Sequence, residues 1–189
     1  QIGGLQKFTL AFAIDVTAGE DLDGIARAYL VHIGETNEVG LISVGVDGSG
    51  RVMVFLNYDG TDNAAHLCTV PITSGGYISL FIAVDTTEAA ANDRVKVYVN
   101  GTQLFTLGIA PIPLNATINT PNTADDYLTL FNRRSANRNP QGAIYYFEMF
   151  DEVFTQEQLS DINTQLQADN DSALSILVPM RRNLLRNTF

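Results

Sequence analysis

The sequence predicts an all-β fold, a two-sheet antiparallel β-sandwich that carries one short C-terminal helix and an extended C-terminal arm. Short apolar stretches rich in Val, Ile, Phe and Tyr alternate with clusters of Gly, Asn and Asp, which is typical of a sandwich. With 189 residues, 46% of them hydrophobic and 17% charged, the chain is long enough for one substantial core. We therefore expect one domain at residues 1–170 and an arm at residues 171–189.

The alternating apolar stretches predict ten strands. In the first of them, Phe8, Leu10, Phe12 and Ile14 occur at every second position and therefore share the face that we expect to enter the core. The predicted strands lie near residues 7–15, 26–34, 40–46, 51–58, 65–70, 77–85, 94–99, 103–108, 127–132 and 142–151.

Turn motifs separate several of these strands, and the segment "VNGT" is the most specific of them. An Asn-Gly pair favours a two-residue type I′ hairpin, because both central residues of that turn need a positive φ. This hairpin would place Val97 opposite Leu104 and Tyr98 opposite Gln103.

One helix is predicted after the last strand. Thr155 and Gln158 have the spacing of a capping box, and Phe154 is placed to pack against Leu159 as a hydrophobic staple. A single apolar stripe then indicates a short helix that lies on the sandwich, formed by Leu159, Ile162 and Leu166.

Three segments resemble the concanavalin-A-like or laminin-G-like jelly roll: "DRVKVYVNGTQLFTL" at 93–107, "YLTLFNRR" at 127–134 and "GAIYYFEMFDEVFTQEQLSDI" at 142–162. The resemblance implies a laminin-G-like jelly-roll sandwich over residues 1–170. Members of this fold class include lectins, glucan hydrolases, adhesion modules and structural domains of extracellular or viral proteins. The fold alone therefore does not select a function.

The composition argues against several classes of protein. A formal net charge of -10 disfavours nucleic-acid binding, which requires Lys and Arg to neutralise phosphates. The longest apolar run, "YISLFIAV" at 77–84, is far below the roughly 20 residues of a membrane-spanning helix, so we expect no membrane insertion. A single cysteine, Cys68, and two histidines exclude an internal disulfide and a Cys/His zinc site.

Catalysis is not expected. The glucan-hydrolysing relatives carry acidic residues in alternation on one strand, because retaining hydrolysis needs two carboxyl groups about 5 Å apart. Here the last strand offers only Glu148 and Glu152 on one face, with Asp151 opposite, and the family's arrangement is absent. His32 and His66 are isolated in predicted strands, where a lone histidine is more often hydrogen-bonded or exposed than a catalytic base, so the sequence predicts a non-enzymatic domain.

No cofactor is required by the sequence, and calcium is the one candidate. The resemblance implies a calcium site at the rim of the sandwich, where loop carboxylates and carbonyls supply the oxygen ligands that calcium prefers. The loop "DGTDN" is our first candidate, with Asp59, Asp62 and Asn63. The loop "EDLD" and the pair Asp125 and Asp126 are alternatives, and ordinary turn chemistry also explains all three segments.

Sugar binding is the function that the resemblance to lectins favours. Such sites stack aromatic rings on sugars, and since the chain has no Trp, tyrosines must supply the rings. Tyr98 and Tyr146 lie on the strand face opposite the stronger apolar set. Arg133 and Arg134 are candidates to meet an anionic group such as a sulfated or sialylated glycan. Half-buried strand tyrosines and a solvated basic loop are the simpler alternatives.

The distribution of basic residues favours assembly. Six of the eleven Lys and Arg residues lie in "RRSANR" at 133–138 and in the tail. The arm combines basic residues with apolar residues that could anchor it on a neighbouring chain. The basic ones are Arg181, Arg182 and Arg186, and the apolar ones are Leu184, Leu185 and Phe189. A solvated terminus is the alternative.

The leading functional hypothesis from the sequence is a non-enzymatic interaction and assembly module of a surface, fibre or capsid-decorating virion structure. We expect it outside the cell or on a virion surface, with protein partners or self-association through the arm. The alternative is a lectin-like carbohydrate-binding domain, assisted by calcium, whose partner is a cell-surface glycan.

Overall fold

The computed structural model describes residues 4–18, 27–34, 41–58, 62–72, 76–119, 127–130 and 141–175. In this part of the chain eleven strands form two sheets, and one α-helix follows the last strand. The elements are β1 (Lys7–Ala18), β2 (Arg27–Gly34), β3 (Ile42–Asp47), β4 (Arg51–Tyr58), β5 (Asp62–Pro71), β6 (Ile78–Asp85), β7 (Val95–Val99), β8 (Thr102–Leu104), β9 (Thr106–Ala110), β10 (Tyr127–Leu130), β11 (Gln141–Phe150) and α1 (Gln156–Ser175).

The two sheets are antiparallel throughout. One has five strands in the order β11-β1-β6-β7-β8, and the other has six in the order β10-β2-β3-β4-β5-β9. This arrangement confirms the predicted two-sheet sandwich, and each predicted strand is present. The region predicted as one strand at 103–108 forms β8 and β9 instead, because the chain passes from the first sheet to the second at Phe105.

The main core lies between the sheets. The predicted face of β1, with Phe8, Leu10, Phe12 and Ile14, is fully buried there. Alternate residues of the facing strands β3 and β4 complete this core, because period-two side chains point to opposite faces of a strand. They are Ile42, Val44, Val46, Val52, Val54 and Leu56.

A second apolar cluster covers the outer face of the five-stranded sheet. Ala11 and Ala13 of β1 present only methyl groups on this face, which leaves room for α1 to pack against Phe81 and Tyr98. The helix contributes Leu159 and Leu166, both buried. The five-stranded sheet is therefore apolar on both faces, and its centre is enclosed on both sides.

The start of α1 is the predicted capping box. The Gln158 side-chain oxygen accepts a 2.8 Å hydrogen bond from the Thr155 backbone N–H, and the Thr155 hydroxyl accepts one of 3.3 Å from the Gln158 N–H. The helix continues to Ser175, so residues 171–175, which the sequence assigned to the arm, are helical. No helix in the described ranges combines the length and apolar character that crossing a membrane requires.

The hairpin between β7 and β8 also matches its prediction. Asn100 and Gly101 have φ values of 49° and 75°, and Val97 pairs with Leu104 and Tyr98 with Gln103. The Asn100 side chain accepts a 3.0 Å hydrogen bond from the Ser79 N–H. The hydroxyl of Ser79 in turn bonds to Asn163 of α1, so the hairpin, β6 and the helix are connected by polar contacts.

Candidate functional site

The acidic residues of the last strand do not form a catalytic pair. Glu148 lies on β11 and accepts a hydrogen bond from the hydroxyl of Tyr146. Glu152 lies beyond the end of β11, where its backbone carbonyl accepts a 2.8 Å hydrogen bond from the Thr9 hydroxyl. The two glutamates are therefore not neighbours on one strand face. Retaining hydrolysis would require such neighbouring carboxyl groups.

The histidines and the cysteine are buried inside the sandwich sheets. His32 Nδ1 lies 2.8 Å from the Ser43 hydroxyl, and its ring meets the edge of Tyr29. His66 Nε2 accepts a 3.3 Å hydrogen bond from the Ile112 N–H, and burial lowers the pKa of His66 to about 4, with a smaller contribution from the charge of Arg94. Burial raises the pKa of Cys68 to about 12, so its thiol is not activated as a nucleophile.

The predicted calcium site falls largely outside the described part of the chain. Asp59 lies outside it, and of Asp62 only the backbone is described, where it pairs with Tyr58. Asn63 is exposed and lies opposite Asn57. Among the described residues, no three His, Cys, Asp or Glu side chains form a group that could hold a metal ion.

The predicted basic partner sites also fall outside the described ranges. These residues are Arg133 and Arg134 of the loop after β10 and Arg181, Arg182, Leu184, Leu185, Arg186 and Phe189 of the arm. Their roles remain predictions.

The two tyrosines predicted to contact a glycan lie on the expected face of the sheet, but α1 covers that face. Tyr98 is only 5% exposed and packs in the cluster with Phe81 and Leu159. Tyr146 is half-buried against the same cluster, and burial together with its hydrogen bond to Glu148 raises the pKa of its hydroxyl. Tyr98 is therefore too buried to stack on a sugar in this structure, whereas a glycan contact of the partly exposed Tyr146 stays a prediction. The sequence did not show which face the helix would cover.

Tyr145 supplies the exposed ring on this side of the sheet. Ala13 of β1 pairs with Tyr146, and Ile14 pairs with Ile144, so Tyr145 is the extra residue of a β-bulge in β11. The bulge places two consecutive tyrosines on the outer side of the sheet. Tyr145 is 51% exposed.

Tyr77, which directly precedes β6, lies beside Tyr145. The ring centroids of the two tyrosines are 5.6 Å apart and the rings are tilted by 43°. Because β1 lies between β6 and β11, the rings approach each other across β1, where Ala13 has only a methyl group. The Tyr77 hydroxyl donates a 2.8 Å hydrogen bond to the Leu166 carbonyl, and burial, followed by the charge of Asp169, raises the pKa of Tyr77 to about 12.

Asp15 completes this surface. It is two residues after Ala13 on the same face of β1, and its carboxylate accepts a 3.2 Å hydrogen bond from the Gly76 N–H, next to Tyr77. At Gly142, opposite this part of β1, a Cβ atom would lie 1.8 Å from the Asp15 carbonyl oxygen, so only glycine allows β11 to approach β1 so closely. We refer to Tyr77, Tyr145 and Asp15 as the tyrosine platform.

The platform combines two kinds of contact. An aromatic face attracts the polarised C–H groups of a saturated ring through its negative quadrupole. A carboxylate accepts hydrogen bonds from hydroxyl groups, and such bonds are stronger than those between neutral groups. A half-exposed tyrosine beside a carboxylate is therefore suited to a ligand that is apolar on one face and carries hydroxyls at its edge.

The sandwich resembles a solved carbohydrate-binding module and the solved binding domains of botulinum neurotoxins. No protein-family model matches the sequence, and no curated protein matches it significantly. The carbohydrate-binding module CBM40 of a Ruminococcus gnavus sialidase, solved with α2,3-sialyllactose, is 17% identical, with a TM-score of 0.60 over 85% of this chain and 84% of that one. The binding domain of botulinum neurotoxin serotype G is 16% identical, with a TM-score of 0.62 over 89% of this chain and 38% of that one.

A pentraxin adds a third likeness. The heptameric SAP-like pentraxin of Limulus polyphemus is 15% identical, with a TM-score of 0.57 over 84% of this chain and 70% of that one. At these identities the likenesses show the fold alone, a jelly-roll sandwich of the kind found in lectin-like domains.

Proposed function

We propose that this domain is a non-catalytic glycan-binding module whose tyrosine platform takes a sugar ring. The observation that carries the proposal is the half-exposed ring of Tyr145, which the bulge in β11 places beside Tyr77, while the Asp15 carboxylate binds the N–H of Gly76, the residue before Tyr77. The likeness to a module solved with sialyllactose supports carbohydrate binding over the assembly role favoured by the sequence. A module of this kind acts where glycans are displayed, outside the cell.

The charge around the platform favours a neutral sugar. The nearest charged groups named above are carboxylates, that of Asp15 on the platform and that of Asp169, which acts on Tyr77. The whole chain also carries a net charge of -10. A sialic acid or a sulfated sugar would therefore be repelled, whereas the hydroxyls of a neutral pyranose donate hydrogen bonds to Asp15.

A glycan array that includes neutral, sulfated and sialylated glycans tests this function. We expect signal on neutral glycans, and we expect the Asp15→Asn variant to lose most of it while its melting temperature stays close to that of the wild type. Binding restricted to anionic glycans would contradict the platform as the site. Repeating the array in calcium and in a chelator tests the calcium hypothesis, since loss of signal in the chelator would support a metal in the "DGTDN" loop.

A further inference from the structure

The edge strand β9 exposes a row of large apolar side chains. Phe105, Leu107 and Ile109 are 61%, 50% and 65% exposed. The intervening residues point inward: the Thr106 hydroxyl donates a 3.0 Å hydrogen bond to the Val95 carbonyl, and a Cβ atom at Gly108 would contact Pro111 and His66. The three apolar side chains therefore share the outer face of the six-stranded sheet, at its edge.

Half of the backbone groups of β9 are directed away from the sheet. The Thr69 N–H donates a 3.1 Å hydrogen bond to the Phe105 carbonyl, and Leu107 is opposite Leu67 in the same register. In an antiparallel pair the residues that bond to the neighbour alternate with those that do not. The N–H and C=O groups of Thr106 and Gly108 consequently face the edge at which no described strand pairs with β9.

The strand itself and the segment of sequence around it carry no charge. Residues 97–124 contain no Asp, Glu, Lys or Arg, in a chain whose net charge is -10. Natural proteins usually protect a sheet edge with charged residues, prolines or β-bulges; β9 contains no charged residue or proline, and a register shift against β5 leaves Ile109 as an extra residue near its C-terminal end. Of the other described edge strands, β11 carries Glu148 and β8 is only three residues long.

We propose that β9 pairs antiparallel with β9 of a second copy of this chain, around a twofold axis at Leu107. In this register Thr106 exchanges hydrogen bonds with Gly108 of the second copy, and the two six-stranded sheets become one continuous sheet. Leu107 meets its own equivalent across the axis, and Phe105 lies opposite Ile109 of the second copy. The exposed row of each copy is then extended by the row of the other.

A second copy fits this edge better than another partner for two reasons. The strand is complementary to itself, since the same register satisfies Thr106 and Gly108 of both copies. Two bodies of the same strong negative charge can also approach closely only where they carry no charge, and the uncharged segment that includes β9 provides such a surface. This interface is distinct from the tyrosine platform, so its failure would leave the proposed glycan binding untouched.

Sedimentation velocity on the full chain, over a dilution series, tests the dimer. We expect a reversible monomer–dimer equilibrium, and Leu107→Lys should weaken it about a hundredfold or more, because two lysines would then face each other across the axis. Leu128→Lys is the matched control, since Leu128 is an exposed apolar residue on the opposite edge strand β10. A wild type that stays monomeric, or a dimer that survives Leu107→Lys, would overturn the proposal.

Disulfide trapping tests the register. Leu107→Cys places two thiols beside each other at the axis, so mild oxidation should give a covalent dimer. The Ile109→Cys positions would be about 13 Å apart along the strands, beyond the roughly 7 Å between Cα atoms that a disulfide allows. The native Cys68 is buried and serves as an internal background. Trapping at 109 but not at 107, or equal trapping at both, would overturn this arrangement.

Discussion

The hydroxyl of Tyr77 donates a 2.8 Å hydrogen bond to the backbone carbonyl of Leu166 in α1. Its ring at the same time lies against that of Tyr145 on the far side of β1. The helix that covers the sheet therefore also fixes one ring of the tyrosine platform. This contact explains why the platform lies beside α1, and it links the stability of the helix to the geometry of the proposed site.

Removing this one hydrogen bond should affect both properties. Tyr77→Phe keeps the ring but removes the hydroxyl that donates to the Leu166 carbonyl in addition to the helical hydrogen bond, so we expect a loss of about 1 kcal/mol in the free energy of unfolding. Glycan affinity should fall several-fold because the ring is less well fixed. Urea denaturation and a binding titration measure the two effects, and an unchanged stability would show that the contact is not formed in solution.

The glycine in β11 should be essential to the close approach of β11 and β1. Gly142 and Gly76 have similar positive φ values, 146° and 133°, but a Cβ atom meets the Asp15 carbonyl only at Gly142. Gly76→Ala therefore serves as the matched control for backbone strain alone. We expect Gly142→Ala to lose about 1–3 kcal/mol more than Gly76→Ala in urea denaturation. Equal losses would mean that β11 is not held this close to β1.

Stability should fall in mild acid because of His66. Its folded pKa of about 4 lies below the unfolded value of about 6.5, so the unfolded chain takes up a proton at this site first. The contribution of His66 to the free energy of unfolding is fully present above pH 6.5. About 3 kcal/mol of this contribution is lost as the pH falls to about 4. Because Nε2 accepts from the Ile112 N–H, the neutral ring carries its proton on Nδ1, which has no hydrogen-bond partner among the described residues; a second proton on Nε2 would remove the hydrogen bond from Ile112.

The matched variant for this pH effect is His66→Gln, which cannot take up a proton. All carboxylates remain in place, so the difference between the two profiles of unfolding free energy against pH reports His66 alone. Parallel profiles for the wild type and the variant would show that His66 titrates at its ordinary pKa.

The two proposed interfaces, the arm and β9, lead to different expected results when the arm is deleted. The described helix ends at Ser175, so we expect a chain that lacks residues 176–189 to keep the sandwich and α1, which a melting curve checks. If β9 forms the interface, the truncated chain still dimerises in sedimentation velocity, and Leu107→Lys still weakens the dimer. Loss of assembly on truncation would instead support the sequence-based prediction that the arm contacts a neighbouring chain.

The sequence predicted the sandwich well because its main signals are local. Alternation in β1, the Asn100-Gly101 turn and the capping box at Thr155 each act within a few residues, and the structure confirms all three. The division of the 103–108 region at Phe105 was not predictable, because it depends on which sheet each half joins.

The platform was missed for a similar reason. Strict alternation gives Tyr146 the outward position and hides Tyr145, whereas one extra residue in β11 places both on the outer side. Burial of Tyr98 depends on the face that α1 covers, which the apolar stripe of the helix does not specify. The adjacent tyrosines in "IYYF" were the one local sign that the alternation is interrupted there.

The most direct test of the tyrosine platform as a glycan site is a calorimetric titration. A neutral glycan from the array is titrated into the wild type, Tyr145→Phe and Tyr145→Ala. Tyr145 is half-exposed, so both variants should fold like the wild type. We expect the Phe variant to bind nearly as well as the wild type, because it keeps the ring, and the Ala variant to lose about tenfold or more in affinity. Equal affinity of the Ala variant and the wild type would contradict the tyrosine platform as the glycan site.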